Sequence, residues 1–234
     1  IEYQVPWIFD VIGKAESLVV KSNSGIKSIA DLKGKTIATP FASTAHYSLL
    51  AALQDAGLSD KDVKVIDSEP DAIYAAWQQG SIDGAYIWNP NLAKLVSSGG
   101  TVLITSEDLA KKGKTTYDLA VVTNAFATKY PAAVQKWIDQ QNVAVKQIKS
   151  DPDKAAASVA AELNISATDA KQQLSELVFL TASEQAGSAY LGGGLATNLY
   201  AAAQFNKTLG KIPTVKPESA YSGAVNKSFA QAVK

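Results

Sequence analysis

The sequence contains no cysteine, no methionine and a single histidine, and every one of its 22 cationic residues is lysine. Without Cys, and with His46 alone, a zinc, iron–sulfur or haem-thiolate centre cannot be assembled. A thiolate nucleophile is excluded for the same reason. The absence of Arg, with 22 Lys set against 22 Asp+Glu, argues against nucleic acid, where clustered cations must displace counterions from phosphate. No apolar run reaches the roughly 18–20 residues of a membrane span, and stretches such as "YSLLAAL" and "DLAVV" are only core-sized. Lack of disulfides is compatible with export, since 234 residues can bury a core that needs no staples. With 19% charged and 47% apolar residues, the chain reads as globular, in one or two domains.

The first half alternates β-rich and helical runs. Strands are expected at 3–9, 17–21, 36–39, 63–66, 84–88, 101–105 and 119–123, with helices at 45–56, 71–79 and 91–97. Such alternation predicts a mostly parallel sheet covered by helices. From Pro131 the pattern turns helical: Val134, Trp137, Ile138, Val145 and Ile148 keep one stripe, interrupted by Gln141. Asp151 before Pro152 is an N-cap followed by proline at the first helical position, and Thr181 with Glu184 has capping-box spacing. The composition breaks near 123–130, which marks a domain boundary.

Chemistry concentrates in "KGKTIATPFASTAHYSLLAAL", residues 33–53. A strand runs into Pro40, and Ser43 and Thr44 stand where a helix begins. Free backbone N–H groups there, with two hydroxyls and the positive end of the helix dipole, make an anion site without any cation. The plainer reading is an N-cap on a core helix. His46 lies just inside the same helix, as an anion donor or as a packing group. Ser43 with His46 lacks the G-x-S-x-G elbow of a hydrolase. Asp118 enters an apolar strand, where a carboxylate is costly unless paired, so it is a candidate for a ligand ammonium; Glu16, ahead of "SLVV", is a weaker one. Trp7 and Trp88 end strand-like runs, and ligands of open α/β sheets bind at such edges. Trp77 and Trp137 read as core. "AKKGK" reads as a solvated turn, and "GGG" at 192–194 lacks the context of a dinucleotide loop.

Three strings, "SGIKSIADLKGKTIATPFASTAHYSLLAAL", "AIYAAWQQGSIDGAYIWNP" and "TTYDLAVVTNAFATKYP", resemble the taurine branch of the sulfonate, nitrate and taurine solute-binding proteins of ABC importers. The likeness runs from about Asp10 to Gln141 and more loosely to the C-terminus. It implies an α/β, two-lobed periplasmic-binding-protein fold of type II, with residues 1–16 and 123–234 forming lobe 1 and 17–122 lobe 2. "SLVV" and "LAVV" would cross between lobes as hinges. It further implies a non-enzymatic protein, exported to the periplasm or held at the cell surface as a lipoprotein, that captures taurine or a similar aminoalkanesulfonate for ABC permease subunits without a cofactor. Alkanesulfonates, nitrate or another small anion are alternative ligands. By the same resemblance the sulfonate would sit at Ser43, Thr44, Ala45 and His46, and the ammonium at Asp118 and Glu16. Trp88, Tyr117, Trp7 and Asp10 would wall the cleft. Family members carry further strand–helix units ahead of "IEYQVPWIFDVIG". Lobe 1 is therefore expected to be incomplete at its N-terminus, which opens the alternative of a non-binding chain that associates with itself.

Overall fold

A computed structural model describes residues 2–234. The chain forms two compact units, one of residues 1–11 and 117–234, the other of 12–116. The expected division at 16/17 and 122/123 placed both crossings later. The difference arises because the first strand runs on to Val11 and its partner begins at Tyr117, so the whole ladder stays in one unit.

The chain starts in strand β1 (Tyr3–Val11) and then enters the second unit. There β2 (Glu16–Lys21), β3 (Thr36–Thr39), helix α1 (Thr44–Asp55), β4 (Lys64–Asp67), α2 (Pro70–Gln79), β5 (Gly84–Trp88), α3 (Asn91–Ser97), β6 (Gly100–Thr105) and α4 (Ser106–Ala110) follow. The sheet has five strands in the order β4-β3-β5-β2-β6. β3 pairs parallel with β4 and β5, whereas β2 pairs antiparallel with both β5 and β6. The expected mostly parallel sheet is thus mixed. Four strands joined by helical crossovers run one way, and β2, which precedes the crossovers, is inserted against them. Its first residue consequently lies at the edge where β3, β5 and β6 end.

Strand alternation sorts the two faces. Val19, Ala38, Ala85 and Ile87 pack with Ile73, Trp77, Leu92 and Leu95 of α2 and α3. Tyr86, between Ala85 and Ile87, takes the opposite face and meets Ser106 at the start of α4. Gly84 is needed where β5 crosses β2, because a Cβ there would stand 2.8 Å from the Val19 carbonyl oxygen. "AKKGK" is more than a solvated turn: Lys114 reaches the Ala51 carbonyl and Asp55, placing a cation at the negative end of α1.

The other unit pairs β1 antiparallel with β7 (Tyr117–Thr123). Its helices are α5 (Asn124–Lys129), α6 (Pro131–Ser150), α7 (Pro152–Leu163), α8 (Ala167–Ser175), α9 (Ala182–Gln185), α10 (Gly194–Thr208), α11 (Glu218–Ala224) and α12 (Ser228–Gln231). The predicted caps are present: the Asp151 side chain accepts from the Lys154 N–H, and Thr181 and Glu184 close a capping box. Val5, Trp7, Ile8 and Val11 of β1 pack on Val134, Ile138 and Val145 of α6 and on Leu191 and Leu195. Trp137, expected in that core, is 39% exposed and meets Phe9 edge-on at 5.8 Å. The pair belongs to an apolar groove of about 490 Å³ with Leu119, Val121, Phe126 and Val134. The groove is open because β1 and β7 form only a two-stranded ladder, which leaves sheet surface uncovered.

Gln185 takes the place of a neighbouring strand for β1. Its amide oxygen accepts from the Ile8 N–H at 2.7 Å, and its nitrogen donates to the Ile8 and Leu180 carbonyls at 3.0 and 2.9 Å. Gln185→Leu leaves three buried backbone groups unpaired. It is expected to lower unfolding free energy by roughly 3 kcal/mol or more, read from urea denaturation, whereas surface Gln172→Leu changes it by less than about 0.5 kcal/mol.

Candidate functional site

The turn between β3 and α1 is held by four hydrogen bonds. The Phe41 N–H donates to Asp67 at the end of β4 (2.8 Å), and the Ser43 hydroxyl donates to the Pro40 carbonyl (2.6 Å). The His46 N–H donates to Ser43 Oγ (3.2 Å), and the Ala42 N–H to His46 Nδ1 (3.4 Å). The last bond makes Nδ1 an acceptor, and the ring stacks on Phe41 with centroids 4.2 Å apart and planes 3° from parallel. His46, 6% exposed, therefore braces the turn. Ala42 has φ +59°, the left-handed region that L-residues rarely adopt. That conformation reverses the chain and aims its N–H back at His46.

With Ser43 as N-cap, α1 starts at Thr44. Among the described residues, no protein group accepts from the backbone N–H of Thr44 or Ala45. Two aligned donors at the positive end of a 12-residue helix are what an oxyanion requires. The two hydroxyls, expected to add to them, turn inward. Ser43 donates to Pro40, and Thr44 Oγ1 donates to Glu16 Oε2 at 2.6 Å. An anion here is left with backbone N–H groups.

Glu16, first residue of β2 and 1% exposed, lies beneath this helix start. Its Oε1 accepts from Ser106 at 2.7 Å and from Ser48 at 3.4 Å. Tyr86, whose phenol burial pushes upward, lies 3.1 Å from Ser106 Oγ. Because Ser106 spends its proton on Glu16, Tyr86 is the donor in that pair. Thr44 and Ser48, four residues apart, share one helix face, which is the sequence signal for this cluster. Ser106 and Tyr86 give no such signal. Trp88 stands directly across from Glu16 in the β2–β5 ladder, on the same face and half-buried.

In the other unit the ladder gathers Asp10, Tyr117 and Asp118 at one end, with Asp10 across from Asp118 and Val11 across from Tyr117. The Asn198 amide donates to the Tyr117 hydroxyl at 2.7 Å. Asp118 was expected at the entry of a buried strand. Asp118, Val121 and Thr123 of β7 are open to solvent, and among the described residues no further strand pairs on the outer side of the ladder. Partial burial nevertheless raises its carboxyl above the ordinary range. Trp7 does not end its strand: β1 continues four residues further, and the indole is fully buried in the core of its unit with Nε1 unpartnered. Thr39 Oγ1, at the end of β3, is another buried group without a partner. No group of three or more His, Asp or Glu able to hold a metal occurs among the described residues.

The NMT1/THI5-like family model matches residues 8–155. A taurine-binding periplasmic protein of Escherichia coli K12 is 37% identical over 226 residues, covering 94% of this chain and 68% of its own length. The chain belongs to this family. Among solved structures, the periplasmic aliphatic sulphonate binding protein SsuA of Escherichia coli superposes with a TM-score of 0.75 at 25% identity, over 92% of this chain and 68% of that one. The fold is thus the α/β, type II binding-protein fold expected from the sequence. The desulfurization enzyme DSZB has a TM-score of 0.70 at 15% identity, over 98% of this chain and 78% of that one, a likeness of fold alone.

The left-handed Ala42 offers a direct check on the turn. Ala42→Gly removes a strain of about 1–2 kcal/mol and adds back part of it as chain entropy. A net gain of up to about 1 kcal/mol in stability is expected by thermal unfolding, whereas Ala42→Val costs more than about 1 kcal/mol.

Proposed function

We propose that this chain is the solute-binding component of an ABC importer and takes taurine or a similar aminoalkanesulfonate outside the cytoplasm. The observation that carries this is the pair of unclaimed N–H groups at the start of α1, in a chain 37% identical to a taurine-binding protein. In this reading the Thr44 and Ala45 N–H groups take the sulfonate, and Trp88, across from Glu16 in the same unit, offers an apolar wall beside them. In the other unit Asp118, across the ladder from Asp10 and next to Tyr117, is the carboxylate offered to an ammonium. Glu16, expected beside the ammonium, is instead engaged by hydroxyls under the start of α1 and braces that turn from beneath.

The reading implies export, consistent with a periplasmic relative, and permease subunits as partners. No helix among the described residues is long and apolar enough to cross a membrane. Binding is reversible and no bond is made. The fold also serves a desulfurization enzyme, but this chain offers no thiolate nucleophile. Plain alkanesulfonates are the second reading, favoured by the likeness to SsuA. Asp118 separates the two, since an alkanesulfonate leaves that carboxylate without a cation.

Isothermal titration with taurine, ethanesulfonate and nitrate tests the assignment. Taurine should bind best, and Asp118→Asn should weaken it roughly 10–100-fold while changing ethanesulfonate little. Equal affinities for all three ligands would remove Asp118 from the site. The pH dependence has a definite sign. The free carboxyl titrates higher than usual and the ammonium requires it ionised, so taurine affinity is full above that raised pKa and falls as pH drops through it. Ethanesulfonate should lack this dependence.

The apolar groove around Phe9, Val121, Phe126 and Trp137 supports self-association of this chain. Light scattering should show mass rising with concentration, and Trp137→Glu should abolish the rise.

A further inference from the structure

We propose that Glu16 sets the charge selectivity of the anion site, admitting monoanions and rejecting dianions. The inference deepens the reading of the α1 start as that site and rests on it. Both Glu16 oxygens lie within hydrogen-bond reach of hydroxyls, at 2.6 and 2.7 Å from Thr44 and Ser106 and at 3.4 Å from Ser48, an arrangement that can hold the carboxylate ionised. The Tyr86 hydroxyl feeds Ser106 from behind and completes a chain of donors that all point toward the carboxylate.

Two consequences reach the ligand. Thr44 spends its only proton on Glu16, so the face of its oxygen turned to an anion carries lone pairs. At the helix start neither the Ser43 nor the Thr44 hydroxyl is left to donate, so no side-chain proton there compensates a second negative charge on the ligand. The buried negative charge, one hydroxyl away, also offsets part of the positive potential of the helix end. Each further unit of charge on the ligand is therefore opposed, by roughly tenfold in affinity for a partly buried pair. A sulfonate, singly charged with three oxygens, suits these limits; sulfate does not. Glu16 acts through Thr44 and through its field, so it is a positioning residue.

Glu16→Gln removes the charge and keeps the shape. The new amide nitrogen donates to Thr44 Oγ1 and frees the Thr44 proton to turn toward the anion. Ethanesulfonate and sulfate are titrated calorimetrically at pH 7 into both proteins. The wild type should prefer ethanesulfonate by tenfold or more, and the variant should narrow that ratio at least tenfold, mainly through gained affinity for sulfate. An unchanged ratio in a folded variant overturns the proposal. If wild type binds neither anion, the anion-site reading itself falls, and this proposal with it. A measurement on the unsubstituted protein decides the matter even if the variant does not fold: the ¹³C shift of the Glu16 carboxyl carbon should be that of a carboxylate at pH 7, and a neutral acid there overturns the proposal.

Discussion

Strand β2 lies between β5 and β6 and runs against both, and the candidate anion site depends on that reversal. Parallel strands deliver their C-terminal ends to one edge of a sheet, where loops and helix starts gather. A strand inserted the other way delivers its first residue to the same edge. Glu16 thereby comes to lie beneath the start of α1, beside the residue that follows β6 and across from Trp88. A buried carboxylate is expensive in isolation, and here three hydroxyls and a helix end offset the cost. The turn above it is fixed as firmly: His46, Phe41 and Ser43 lock a left-handed alanine, and the helix start has one orientation.

Much of this was legible in the residues. Strands 36–39 and 84–88 and helix 91–97 lie where apolar patterning placed them, because each is bounded by a strong stop such as Pro40, Pro90 or Gly84. The start of α1 was legible because Ser43 and Thr44 follow a strand and precede a helical apolar run. The direction of β2 was not. Antiparallel and parallel strands share one alternation, and only the partner fixes the direction. The exposure of Asp118 and Trp137 was hidden for a related reason. Both lie on stripes that are apolar in sequence, but the β1–β7 ladder has two strands only, and a periodicity does not tell whether another layer covers it.

The destination of the hydroxyls was the least legible feature. Ser and Thr at a helix start cap it, bind a ligand or serve a buried acceptor, and one sequence suits all three roles. Ser43 caps α1, while Thr44 serves Glu16 from 28 residues away in the chain. Gln185 is the same lesson in the other unit. Its amide completes the edge of β1 from 177 residues away, and no local pattern marks it. Long-range polar satisfaction is set by topology, and it decides which polar atoms remain for function.

The inward turn of Ser43 and Thr44 also bears on how the site tolerates sequence change. If the groups that meet the anion belong to the main chain, their chemistry is the same for every residue type that keeps the helix start in place. Side-chain truncation at these positions would then register chiefly as altered folding, and a scan by alanine would pass over the site. Backbone-directed probes, such as ester replacement of the Thr44 or Ala45 amide or the exchange protection of those two protons, would see it directly.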